Sequence, residues 1–156
     1  MKNNCIYQLK INVIGISPLI WRRVLVKNNT SIADLHRILQ ITLGWCDTYL
    51  HQFIIQGKNY GINYECGMEF SDDARKVFLS DFDFYIGEKF IYEYNFNVDW
   101  QLQIRIEKIS PSDFKKVYPV CIGGGKLGPP EDCPSKDYYQ EKEYKYNGNK
   151  IAFVEI

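Results

Sequence analysis

Three stretches of the chain alternate apolar and polar residues with a period of two, and no other sequence feature restricts the fold as much. Tyr7, Leu9, Ile11 and Val13 alternate with Gln8, Lys10 and Asn12. Phe90, Tyr92, Tyr94 and Phe96 alternate with Ile91, Glu93 and Asn95, and Trp100, Leu102, Ile104 and Ile106 with Gln101, Gln103, Arg105 and Glu107. Successive side chains of a strand point to opposite faces, so each stretch predicts a strand with one buried and one wet face. The second and third are separated only by Asn97-Val98-Asp99. That is too short for a parallel crossover, so the pair is an antiparallel hairpin. Ser17-Pro18 interrupts pairing after the first strand, and Ile20 to Lys27 reads as its hairpin partner, carrying Trp21 and Arg22-Arg23.

Helical periodicity is clearest after Ser31, where Ile32, Leu35, Ile38, Leu39 and Leu43 share a face, Asp34 completes an S-x-x-D cap and Gly44 supplies a stop. His51 to Gln56 reads as a further strand, and Asp72 to Leu79 as a short helix. Pro119 to Pro134 reads as a Gly/Pro loop, and Asn147-Gly148 as the turn of a terminal hairpin over residues 140–156. With 156 residues, the expectation is one compact domain of the α+β class spanning 1–156, an antiparallel sheet with helices packed on one face. Trp21, Trp45 and Trp100 are expected to be buried scaffold.

Hydrophobic residues make up 46% of the chain and charged ones 24%, a balance that excludes intrinsic disorder as the main state. Nineteen basic and nineteen acidic residues cancel, so the whole molecule lacks the field of a non-specific DNA coat protein. The cancellation conceals an excess of base in residues 1–58 and of acid in 59–156. Five cysteines without a C-x-x-C spacing fit reduced thiols. The longest apolar run, Ile151 to Val154, is far short of a membrane span. A cytoplasmic location is expected, with no membrane partner and no cofactor.

Gly123-x-Gly125-x-x-Gly128 has the spacing of a dinucleotide fingerprint but not its strand–helix context, and Pro129-Pro130 come directly after it. The glycines read as chain turns, or as an anion nest beside Lys126. Metal ligation would draw on Cys121, Cys133, His51 and Asp47, but their spacing matches no metal motif, so no metal is expected. His36 reads as a packing residue beside the helix's apolar face. Arg22, Arg23 and Lys27, near Trp21, are the candidates for contact with nucleic acid, though adjacent strand residues face opposite ways. Asp72, Asp73, Asp81 and Asp83, interleaved with Phe78 and Phe82, are the candidate surface for a protein or nucleoprotein partner with a basic face.

Several words of the sequence stand together in order and spacing: Gly15-Ile16-Ser17-Pro18-Leu19-Ile20-Trp21-Arg22-Arg23, Leu35-His36, Gly44-Trp45-Cys46-Asp47, Leu50-His51-Gln52-Phe53, Tyr60-Gly61 and Gly128-Pro129-Pro130-Glu131-Asp132-Cys133. In these the chain, from about Tyr7 to Tyr139, resembles the plasmid pRiA ORF-three-like family. The resemblance implies an α+β domain carried by plasmids, transposons and phage-like elements. Asn95-Phe96-Asn97-Val98 stands where that family usually has Asp-Phe-Gly-Asp, and Tyr49 where it often has His, so titratable positions are lost and catalysis is not expected. The leading expectation is a non-enzymatic interaction module of a mobile genetic element, one that binds and inhibits a host or defence nucleoprotein complex. The alternatives are a nucleic-acid-binding accessory of transposition or recombination and a metal-dependent enzyme.

Overall fold

The computed structural model describes residues 4–141 and 154–155. Its strands are β1 (Cys5–Val13), β2 (Trp21–Lys27), β3 (His51–Ile55), β4 (Lys58–Tyr60), β5 (Lys89–Tyr94), β6 (Trp100–Pro111), β7 (Val120–Gly125) and β8 (Val154–Glu155). They form one sheet in the order β4-β3-β5-β6-β1-β2-β7-β8. Each neighbouring pair runs antiparallel, as the alternation and short connections require. The helices are α1 (Ile32–Leu43) and the six-residue α2 (Lys136–Glu141). The protein is therefore mainly β, with less helix than an α+β architecture suggests. Among the described residues no helix is long and apolar enough to cross a membrane.

One face of the sheet carries the core. Tyr7, Leu9, Ile11 and Val13 of β1, Phe90, Tyr92 and Tyr94 of β5, and Trp100, Leu102, Ile104 and Ile106 of β6 are all buried. Against this face lies α1, whose Leu35, Leu39 and Leu43 belong to the same cluster. Ser31 caps α1, its hydroxyl oxygen accepting from the Asp34 N–H at 3.0 Å. Gly44, at φ 74°, closes it with bonds from its own N–H to Gln40 and Ile41 carbonyls.

Three sequence expectations change here. Residues 72–79 do not form a helix, because Val77 and Ala74 turn their carbonyls to the Ile32 and Ala33 N–H groups at the start of α1. Those first-turn donors have no partner within the helix. The chain then makes a 3₁₀ turn, Leu79–Phe82. The Gly/Pro loop contains a strand, β7. The indole of Trp21 lies so close to it that a Cβ at Gly125 would stand 2.6 Å from Trp21 Nε1, so the glycines make room for a ring rather than turning the chain or cupping an anion. Trp21 itself is only half-buried, on the open face of the sheet, whereas Trp45 and Trp100 are core. The Asn147-Gly148 turn lies outside the described residues.

Candidate metal centre

The helix α1 presents His36 and, one turn later, Gln40 toward Tyr92 of β5. Beyond Gly44 the chain doubles back through Trp45 and Cys46 to Asp47, which takes up the left-handed conformation (φ 56°). Its N–H donates to Gln40 Oε1 at 2.8 Å. The chain then enters β3 at His51, paired with Tyr94 across the ladder. Two imidazoles and a carboxylate separated by ten and three residues thus converge, with ligand atoms all within 4.8 Å of one another.

The rings of His36 and His51 are stacked, 3.6 Å between centroids and 13° from parallel. The hydrogen-bond pattern assigns the tautomer of His36: Nε2–H donates to Asp47 Oδ1 and Nδ1 accepts from the Tyr92 hydroxyl, both at 2.8 Å. The Gln40 amide donates to that same hydroxyl oxygen at 2.9 Å. His51 is 2% exposed, and both of its ring nitrogens lack a partner among the described residues. An unpaired buried polar group costs about 1–3 kcal/mol, so His51 is held in this position at a cost to stability. Burial pushes His36 down to about 4, helped by the Arg37 charge, and His51 down to about 3, helped by His36 and opposed by Asp47. Burial also raises the Asp47 carboxyl. At neutral pH both imidazoles are uncharged and each carries one nitrogen lone pair.

A second layer holds the Asp47 loop from outside. The segment from Gly128 to Cys133 crosses so close to the end of α1 that a Cβ at Gly128 would stand 2.1 Å from the Leu43 carbonyl oxygen. Pro129 accepts from the Trp45 indole N–H at 2.8 Å. Glu131 accepts from the Cys46 N–H at 2.6 Å and from the Tyr94 hydroxyl at 3.0 Å. The Tyr94 oxygen in turn accepts from the N–H groups of Thr48 and Tyr49.

The structure brings together His51 and Asp47 and adds His36, which sequence reasoning leaves as packing. The signal was an imidazole on the polar margin of an amphipathic helix followed by Asp and His. It could not be weighed without knowing that β3 lies beside α1. Cys121 and Cys133 do not join the site; their thiols donate to the Gly123 and Ser135 carbonyls instead. Arg22 points into the core, 1% exposed, and donates to the carbonyls of Thr42, Trp21 and Gly125. Arg23 faces the other way, in a two-bond pair with Glu107 at 2.7 and 3.1 Å, and Lys27 is exposed at the end of β2. These three therefore do not form one surface. Of the acidic set, Asp72 pairs with Lys58, Asp73 with Arg75, and Asp81 caps the Phe78 N–H, while Asp81 and Asp83 are exposed. Phe82 is core, stacked on Phe84, and Phe78 is exposed.

An open antiparallel sheet backed by one long helix, with a buried imidazole–carboxylate pocket at their junction, describes the class. The chain belongs to the plasmid pRiA4b ORF-3-like protein family, whose model matches residues 5–147. It is similar to the uncharacterized protein y4hQ of Sinorhizobium fredii, 30% identical over 137 residues that cover 87% of this chain and 70% of that one. It is also similar to the crystal structure of a protein of unknown function, MM3350 of Methanosarcina mazei. There the TM-score is 0.82 at 31% identity, covering 92% of this chain and 82% of the other.

Proposed function

We propose that this protein binds a divalent transition-metal cation through His36, His51 and Asp47. The observation that carries the reading is His51, a buried neutral imidazole whose two nitrogens meet no partner among the described residues, beside a second imidazole and a carboxylate. Imidazole donors select zinc-type or ferrous cations over magnesium and calcium, and three protein ligands leave a position for water or substrate. A cation there would be held by His36 Nε2, a His51 ring nitrogen and an Asp47 oxygen; His36 Nδ1–H would then donate to the Tyr92 oxygen, which has lone pairs for that bond and for the Gln40 amide. When bound, such a cation acidifies its water or polarises an oxygen ligand. Calorimetric titration with zinc and with cobalt is expected to give one equivalent per chain, with affinity reduced at least tenfold in Asp47→Asn and His51→Gln. Wild-type protein that takes up neither cation stoichiometrically refutes the reading.

A second reading is favoured by Tyr85 and Ile86, 67% and 62% exposed, just beyond Asp81 and Asp83. Exposed apolar side chains beside acids suit docking on a basic surface, here that of a cytoplasmic host or defence nucleoprotein complex, which the protein would inhibit. Changing Asp81 and Asp83 to Lys is expected to slow association with a captured partner in low salt, with a modest loss of stability from the Asp81 cap on the Phe78 N–H. An unchanged association rate counts against it.

A further inference from the structure

The register of the sheet aligns four cations. Lys10 of β1 stands opposite Arg23 of β2 on one side and opposite Arg105 of β6 on the other, and Arg105 stands opposite Lys89 of β5. Directly opposed residues of an antiparallel ladder point to the same face. Here that is the face turned away from the core, since Val24, Leu9, Ile11, Ile104, Ile106 and Phe90 occupy the other. Arg23, Lys10, Arg105 and Lys89 thus form a straight row across four adjacent strands, roughly 14 Å long at the usual strand spacing.

Like charges placed directly opposite one another destabilise a sheet, so this row is not explained by folding. Arg23 is matched by Glu107. Lys89 and Arg105 are exposed and form no ion pair among the described residues. Another acid of this face, Glu93, is engaged by Gln52 and Gln101 at the far end of β5. Beside the cations, two residues along each strand, runs a second row: Trp21, Asn12, Gln103, Ile91 and Ile54. It offers an aromatic ring, two amides and two aliphatic side chains. Lys10 Nζ and the Arg23 guanidinium stand 5.4 and 5.1 Å from the Trp21 ring centroid, tying the two rows together.

We infer that the open face of the sheet is a binding surface for single-stranded nucleic acid, with phosphates along Arg23, Lys10, Arg105 and Lys89 and bases over the row that begins at Trp21. A line of positive charge that tracks the backbone, flanked by an aromatic and sequence-tolerant polar groups, is the chemistry by which single strands are held. The opposing charge of a phosphodiester chain relieves the repulsion within the row. A duplex keeps its bases stacked inside and has no use for the second row. This surface lies on the opposite side of the sheet from the imidazole pocket and is independent of any cation there.

The test is fluorescence anisotropy of a labelled 20-nucleotide oligothymidylate with the whole protein, in chelator, from low to moderate salt. Binding is expected at 50 mM salt, with log K falling against log salt at a slope of about −2, the value for roughly three neutralised phosphates of a single strand. The double variant Lys89→Gln, Arg105→Gln is expected to bind at least tenfold more weakly and with a shallower slope, while melting no lower than wild type because the opposed like charges are gone. Lys115→Glu, Lys116→Glu, which reverses two exposed charges elsewhere, is expected to bind as wild type does. The proposal is overturned by absence of binding at 50 mM salt, by undiminished binding of the Lys89/Arg105 variant, by an equal loss in the Lys115/Lys116 variant, or by tighter binding to a duplex of the same length.

Discussion

His36, His51 and Arg22 are three polar side chains that the fold takes out of water, and each is treated differently. Arg22 keeps its charge and finds three carbonyls; burial lowers its affinity for the proton, but not enough to matter for a guanidinium. His36 gives up its charge and keeps two hydrogen bonds. His51 gives up its charge and keeps none among the described residues. The two histidines make stability depend on pH in a calculable direction. Their ordinary value is 6.5, and in the folded protein they stand at about 4 and about 3. Below pH 6.5 the unfolded chain takes up protons that the folded one refuses, so stability is full above that value and is lost as pH falls through the window down to 4 and 3. In metal-free protein the urea midpoint is expected to drop across this window, and to drop less in His51→Phe. Parallel pH curves for the two proteins would show that His51 titrates normally in the folded state.

Among the elements, the segment Gly128 to Cys133 has consequences out of proportion to its lack of regular structure. Glu131 accepts from Cys46 and Tyr94, and its carbonyl oxygen accepts from the Asn95 amide at 2.8 Å, so it ties the Asp47 loop to the β5–β6 end of the sheet. The tie depends on Gly128, because only a residue without Cβ passes the Leu43 carbonyl oxygen. Gly128→Ala is expected to lower unfolding free energy by about 1–3 kcal/mol and to weaken zinc binding together with it, since the loop that carries Asp47 loses its outer support. Denaturant unfolding and zinc titration of the same sample check both; normal zinc affinity in a destabilised variant would mean that the loop stands without the strap. Gly125 is a different case. Its missing side chain accommodates Trp21 on the open face, so the Gly-rich run and the tryptophan are one packing arrangement read as two unrelated motifs in the sequence.

On the scale of the molecule, neutrality of the whole conceals a division of labour: basic residues abreast on the open sheet face, acids around the segment that wraps the start of α1, and uncharged imidazoles between helix and sheet. Where local signals were strong, the order of residues alone made the structure legible, though not at residues 72–79 or in the Gly/Pro stretch that holds β7. The alternation of β1, β5 and β6, the Ser31 cap and the Gly44 stop come from period, capping chemistry and steric freedom, all local properties, and the antiparallel arrangement comes from the short links between strands. Pairing and packing between distant segments were not legible in that way. A period of two says that Lys10 and Arg105 are on wet faces, but only the register sets them side by side. The same holds for the buried pocket: His36 and Asp47 are eleven positions apart and His51 is four further on, and nothing local distinguishes a helix-margin histidine that packs from one that meets a second imidazole. The distinction arises where α1 crosses β3 and β5, because desolvation, stacking and orphaned ring nitrogens exist only once the helix is laid on the sheet.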